Sequence, residues 1–350
     1  MTQVYDSVLD LIGHTPMVRL DRLKKGIEAT VLAKLEYYNP SGSVKDRIAL
    51  SMIEEAERQG IIKPGDTIVE PTSGNTGTSL ALVCALKGYR MIAVMPEQMS
   101  QERKDMMTAF GAQLLLVPSQ GEAEPGTFSK EDVEATMKKA EELAALPGYF
   151  MPNQFANPGN TLAHFHTTAQ EIWKGTEGRV DAFVAGVGTS GTAMGVSRGL
   201  KEKNPRVKIF VVEPANSAVL SGECAGYHRI QGIGEGFIPD LFEDSRSNGI
   251  IKVSDEEAKA TACRLARIEG IFAGYSAGAN VFASLKVAKQ LGKGKTVVTV
   301  VPDSGMKYLS TELFHHSPEI CTIHCCTLKD PNRRQECIKG IPRCCVLDPC

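Results

Sequence analysis

The sequence predicts an α/β protein built on parallel sheets. Two observations carry that prediction. Short runs rich in β-branched residues alternate with helix-length segments along most of the chain, and turns rich in glycine and hydroxyl groups recur where a run ends and a helix begins. The runs fall at residues 29–35, 67–70, 90–96, 112–117, 182–186, 208–213 and 296–302. Apolar residues recur with helical spacing over 44–59, 76–87, 101–110, 131–144, 162–174, 192–203, 255–269 and 277–291.

At 350 residues the chain has the length of about two domains. The likeliest seam is 146–160, where Pro147, Gly148, Pro152, Pro158 and Gly159 cluster, and 119–129 reads as an exposed loop. Hydrophobic residues make up 42% and charged residues 23%, a composition that supports a large core without disulfides or metal. A formal net charge of −2 gives no global basic field for nucleic acid or an anionic membrane. The first twenty residues carry Asp6, Asp10 and Arg19 with no apolar run, which fits neither a secretory signal nor a transit peptide, and no window has the length of a membrane span. Cytoplasm is the expected compartment.

Five segments place chemistry-bearing residues at strand ends or helix starts, where open α/β sheets bind ligands. In Asn39-Pro40-Ser41-Gly42-Ser43-Val44-Lys45-Asp46, Ser43 is a candidate N-cap and Lys45 falls in the first helical turn. A cation there opposes the helix dipole, so the amine is either exposed or held neutral, as a Schiff-base lysine must be. By itself the segment leaves Lys45 open between a catalytic amine and a surface lysine paired with Asp46. Thr72-Ser73-Gly74-Asn75-Thr76 gathers hydroxyls, an amide and backbone N–H groups at a helix start, which suits a carboxylate or phosphate.

Gly186-Val187-Gly188-Thr189-Ser190-Gly191-Thr192 follows a strand and opens a helix, and Glu213 ends the next strand. That is the dinucleotide fingerprint in its proper context, so a nicotinamide oxidoreductase is a rival reading. Thr189, Ser190 and Thr192 favour a phosphate monoester instead. Gly274-Tyr275-Ser276-Ala277-Gly278 reads as a strand–turn–helix and matches a hydrolase nucleophile elbow, but His315, His316 and His324 have no context that would make one of them its base. Gln154-Phe155-Ala156-Asn157-Pro158 is a polar loop at the seam and is weak evidence alone.

Taken in order, these segments resemble the cysteine synthase (O-acetylserine sulfhydrylase) family, with cystathionine β-synthase as a cousin. The resemblance runs from about residue 4 to 314 and includes Gly13-His14-Thr15-Pro16, Thr167-Thr168 with Glu171-Ile172-Trp173, Gln231-Gly232-Ile233-Gly234, and Pro302-Asp303-Ser304-Gly305. It implies the fold-type II, tryptophan synthase β-like architecture: two open, twisted, mainly parallel sheets flanked by helices. A smaller domain would comprise 1–12 and 36–150, and a larger one 13–35 and 151–314. It implies pyridoxal 5′-phosphate as cofactor. Lys45 would hold it as a Schiff base and shuttle the α-proton. Asn75 would bond its 3′-oxygen, Gly188, Thr189, Ser190, Gly191 and Thr192 would bind its phosphate, and Ser276 would face its pyridine nitrogen. Thr72, Ser73, Thr76 and Gln154 would hold the substrate α-carboxylate, and the loop from Gly232 to Gly234 would line the entrance.

The implied reaction is β-replacement through an aminoacrylate, converting O-acetylserine and sulfide to cysteine and acetate. Cystathionine β-synthase activity and O-phosphoserine use are the alternatives. A homodimer is implied, with serine acetyltransferase as a partner. Three features depart from the family pattern. The 119–129 segment is longer and more acidic, Glu235 stands where a small residue is common, and 315–350 is a cysteine-rich tail. That tail holds seven cysteines, against only Cys84, Cys224 and Cys263 before it. It lacks paired C-x2-C knuckles, and a reduced tail, a metal- or cluster-binding appendage and a redox or disulfide-linked segment all stay open. No metal site is assigned elsewhere.

Overall fold

The computed structural model describes residues 4–72, 74–119 and 130–314, so Ser73, most of the 119–129 loop and the cysteine-rich tail lie outside the described residues. Two sheets organise the chain. The larger has six strands in the order β1 (Met17–Arg19), β2 (Thr30–Leu35), β10 (Thr296–Val301), β7 (Ala182–Gly186), β8 (Lys208–Pro214), β9 (Gly249–Val253), parallel except for β1 against β2. The smaller has four parallel strands, β5 (Gln113–Val117), β4 (Arg90–Pro96), β3 (Thr67–Pro71) and β6 (Tyr149–Phe150).

Parallel strands need crossover connections, and helices supply them: α1 (Lys45–Arg58), α2 (Asn75–Lys87), α3 (Gln101–Ala109), α4 (Lys130–Ala144), α5 (Pro158–Ala163), α6 (Ala169–Gly175), α7 (Gly191–Lys203), α8 (Asp255–Arg264) and α9 (Tyr275–Leu291). Such sheets are covered on both faces, and β7 shows it residue by residue. Ala182 and Val184 enter the core beneath α9, whereas Phe183 and Ala185 enter a second core with Met194 and Leu200 of α7. Both sheets therefore present the carboxyl ends of their strands, at Leu35, Pro71, Gly186 and Val301, to loops that lead into helices or the cleft.

The expected strands and helices are present, with informative differences. β1, β6 and β9 had no sequence signal, being short or lacking alternation. The helix expected at 162–174 begins earlier: Asn157 accepts the Gly159 N–H at 2.8 Å as N-cap, Pro158 takes the first position, and a π-turn over His164–Thr168 joins α5 to α6. A second π-turn over Leu265–Glu269 extends α8. The strand expected before Ser276 is reduced to one bridge, Ala273 with Ser304. No helix among the described residues is long and apolar enough to cross a membrane.

A buried ionic cluster joins the elements around α1. The Arg47 guanidinium donates to both Glu36 carboxylate oxygens (2.7 and 3.0 Å) and both Glu171 oxygens (2.7 and 2.8 Å), and to Thr15 and Thr167. Lys34 adds an ion pair to Glu171 at 2.6 Å and donates to the Thr15 carbonyl. Two cations meet two anions, so the cluster is neutral although Lys34 and Glu36 are 1% and 0% exposed. Burial opposes ionisation of Glu171, but Arg47 and Lys34 outweigh it and hold its carboxyl well below the usual range. Breaking a buried pair from one side leaves an uncompensated charge, so Glu171→Ala should cost about 3–5 kcal/mol in urea unfolding. Adding Arg47→Met restores charge balance, and the double variant should lose less than the sum of the two single changes.

Candidate active site

The cleft between the two sheets is floored by Lys45. Ser43 accepts the Lys45 N–H at 3.3 Å, but it is not the expected N-cap: Val44 holds that position, without a side-chain capping bond. The expected alternative of a surface pair with Asp46 does not hold. The Asp46 carboxylate turns away and accepts from the Ser41 N–H (2.7 Å), the Ser79 hydroxyl (2.5 Å) and the Ser41 hydroxyl. Lys45 is half-buried, and burial pulls its ammonium below the ordinary lysine range against the opposing pull of Glu235 and Asp303. The amine thus has the easily neutralised character that a carbonyl-capturing lysine needs.

Around it, Asn75, Gly188, Thr189, Ser190, Gly191, Thr192, Gly232 and Ser276 line one pocket with Lys45. The turn after β7 forms a cup. Ser190 sits at φ +70° just before α7, in the left-handed region that a non-glycine residue rarely adopts, and its buried hydroxyl has no partner among the described residues. A Cβ on Gly188 would lie 2.5 Å from the Gly232 carbonyl, and one on Gly191 would lie 1.7 Å from Asn160 Oδ1, so both positions require glycine. Asn160 in turn donates to the Thr189 hydroxyl at 2.8 Å, and Thr192 shares a 3.1 Å hydrogen bond with His164. An orphaned hydroxyl, two further hydroxyls and the amino end of a thirteen-residue helix make a phosphate seat. Ser276, buried in the first turn of α9, supplies a neutral hydroxyl to the same pocket. The residues present therefore fit pyridoxal phosphate: a phosphate cup, a hydroxyl for a ring nitrogen and an amine in one cleft.

The loop after β3 meets the seam loop. The Thr76 hydroxyl donates to Gln154 Oε1 at 2.6 Å, and Thr72 accepts the Gly77 N–H at 3.0 Å. Thr72, Thr76 and Gln154 are thus brought together, while Ser73 lies outside the described residues. Several residues that position this site were missed. Glu70, fully buried, accepts the Asn153 and Gln154 N–H groups, each at 2.9 Å. Asn75 donates to Asp303 at 2.7 Å and accepts from Lys307 at 2.6 Å, and Tyr308 donates to the same Asp303 oxygen. Asn280 accepts the Gly186 N–H at 2.7 Å. Only the 302–305 segment carried any signal; the others are polar residues whose partners lie far away in sequence.

Glu213, the acid of the dinucleotide fingerprint, is also occupied. It is buried and accepts from the Leu220 N–H and the Ser221 hydroxyl, so it has no free carboxylate for a ribose.

Two expectations follow. Gly191→Ala should cost about 1–3 kcal/mol by overpacking and, by displacing Asn160 from Thr189, should lower cofactor retention on dialysis. Burial lifts the Glu70 carboxyl to about 7, so between its ordinary value near 4.5 and that point the folded chain holds a proton that the unfolded chain has lost. Its contribution makes stability fall as pH rises through that window, by at most about 3 kcal/mol. Glu70→Gln should flatten the pH dependence of the urea midpoint between pH 5 and 8.

Comparison with known proteins agrees with this geometry. Residues 8–303 match the family described as pyridoxal-phosphate dependent enzyme. A cysteine synthase of Staphylococcus aureus is 51% identical over 310 residues, which cover 88% of this chain and 97% of that protein. A solved cysteine synthase of Entamoeba histolytica superposes with TM-score 0.84 at 42% identity, covering 91% of this chain and 93% of its own. The solved O-ureido-L-serine synthase also gives 0.84 at 42% identity, covering 94% and 100%. With a cup for a phosphate, an amine of weakened charge beside it and a family match across most of its length, the chain belongs to the pyridoxal-phosphate dependent enzymes, in the fold-type II branch that includes the cysteine synthases.

Proposed function

We propose that the enzyme makes cysteine and acetate from O-acetylserine and sulfide by β-replacement. The observation that carries this reading is the convergence on one cleft of Lys45, the Gly188–Thr192 cup, the Ser276 hydroxyl and the paired Thr76 and Gln154 side chains. The names of the similar proteins support the same substrate class.

Lys45 would hold the cofactor covalently, Gly188, Thr189, Ser190, Gly191 and Thr192 its phosphate, Asn75 its ring oxygen and Ser276 its ring nitrogen. Pyridoxal phosphate, when bound, supplies the electron sink that makes the substrate α-proton acidic. Thr72, Ser73, Thr76 and Gln154 grip the α-carboxylate, and Glu70 fixes the Gln154 backbone for that purpose. Lys45 Nζ, freed when the substrate amine takes its place, would take the α-proton; acetate would leave the β-carbon, hydrosulfide would add there, and Lys45 would return the proton to the α-carbon. Ser276 is neutral, so it does not force a proton onto the ring, which suits elimination better than a long-lived carbanion. We take 1–12 with 36–150 as the smaller unit and 13–35 with 151–314 as the larger, and infer that their closure over bound substrate excludes water. We further propose a cytoplasmic homodimer, with serine acetyltransferase as a partner.

The test is the visible spectrum of the holoenzyme before and after O-acetylserine, with product assays for each pairing of O-acetylserine or O-phosphoserine with sulfide or homocysteine. The expected result is a visible band that shifts with O-acetylserine, and cysteine as product. Lys45→Ala should abolish that band and lower turnover by about 10³-fold or more. Turnover of O-phosphoserine but not O-acetylserine would overturn the proposed donor.

A further inference from the structure

The loop that follows Gln231 holds a carboxylate, Glu235, beside the cleft, and its flanks fix where that carboxylate sits. On one flank Gln231 accepts a hydrogen bond from Arg103, whose guanidinium lies against Gly74; a Cβ there would be 3.7 Å from Arg103 Nη1. On the other flank Phe237 meets Phe155 edge-on, with ring centroids 5.2 Å apart, and Phe155 is the immediate neighbour of Gln154. Both flanks therefore lean on the two segments that grip the α-carboxylate. Between them Glu235 points toward the cup, with Oε1 3.7 Å from where a Cβ on Gly188 would be.

Glu235 is half-buried, and no hydrogen bond or ion pair ties its carboxylate among the described residues. Burial raises its carboxyl above the ordinary range, while Lys45, His228 and Arg103 pull it down. An unpaired acid in such a place costs stability, and nothing in the binding of cofactor or α-carboxylate uses it. The cleft already takes two anionic groups, a phosphate at Gly188–Thr192 and a carboxylate at Thr72–Gln154. With those two anionic groups seated as proposed, the substituent on the substrate β-carbon would be left to the side of the cleft that Gln231, Gly232 and Ile233 line, beside Glu235.

We propose that Glu235 is a specificity-determining residue, whose carboxylate favours amino-acid substrates with an uncharged group on the β-carbon and rejects those with an anionic one. The inference rests on the β-replacement reading and deepens it: an acetyl ester passes the filter and a phosphate or carboxylate does not. At the separations within this cleft, and with the effective dielectric of a partly buried site, a like charge is enough for discrimination of about tenfold or more.

The test uses L-asparagine and L-aspartate, an isosteric pair that differs in the charge on the β-substituent, titrated against the holoenzyme by calorimetry and by the cofactor's absorbance. The wild-type protein should bind asparagine at least about tenfold more tightly than aspartate. Glu235→Gln and Glu235→Ala should each bring the two affinities within about twofold, while Glu235→Asp, which keeps the charge, should retain the preference. Using two neutral variants guards against one that fails to fold. Binding of both amino acids with the same ratio in wild type, Gln and Ala would overturn the inference and leave the β-replacement reading standing. Binding of neither to any of the proteins, with O-acetylserine still turned over, would also overturn the inference and leave the β-replacement reading standing.

Discussion

The position of the reactive amine depends on a salt-bridge cluster two residues away from it. Arg47 lies half a turn beyond Lys45 on α1, and it is locked to Glu36 at the end of β2 and to Glu171 on α6. Those partners belong to the six-stranded sheet and its helices, whereas the far end of α1 packs Ile53 and Ala56 into the core of the four-stranded sheet with Leu80 and Met95. The first turn of α1 is therefore pinned from both sides. A flexible lysine becomes a positioned one because its helix cannot slide or rotate without separating four buried charges. Desolvation makes this arrangement costly to assemble, and neutrality with full hydrogen bonding makes it strict once formed.

The same logic recurs at smaller scale around the cleft. Glu70 holds the seam loop by two backbone N–H groups, Asn160 holds Thr189, and Asp303 with Lys307 holds Asn75 from opposite sides. Three groups assigned to cofactor or substrate in the proposed scheme, Gln154, Thr189 and Asn75, are thus each held by a polar residue from a distant element. Function here is built from loops, and these loops are held in place by buried side chains such as Glu70 and Asn160.

What the sequence made legible follows from this. The phosphate cup was readable because its glycines and hydroxyls are consecutive, and a contiguous turn needs no tertiary information. Seven of the ten described strands announced themselves by apolar, β-branched runs, and β7, with both faces buried, is the clearest; β1, β6 and β9 did not. Lys34, Asn160 and His164 were not readable. A lysine in a strand reads as solvated, yet Lys34 is sealed against Glu171, and the reason lies 137 residues away. The π-turns at 164–168 and 265–269 were equally silent, since an extra residue in a helical turn leaves apolar spacing nearly unchanged. Lys45 itself remained ambiguous on its own segment, and only the cleft shows that Asp46 belongs to Ser41 and Ser79 instead.

The cup has one further property. Residues 188–192 carry no charged side chain, and the imidazole behind Thr192 is held neutral, since burial and then the nearby Arg47 and Lys45 drive His164 well below the ordinary histidine range. A phosphate seated there, as proposed, would be held by N–H groups, hydroxyls and the dipole of α7, with no cationic side chain among residues 188–192. Dissolved electrolyte weakens attraction between opposite charges more than it weakens hydrogen bonds inside a partly enclosed pocket. Retention of the cofactor would thereby depend on shape more than on the ionic strength of the medium.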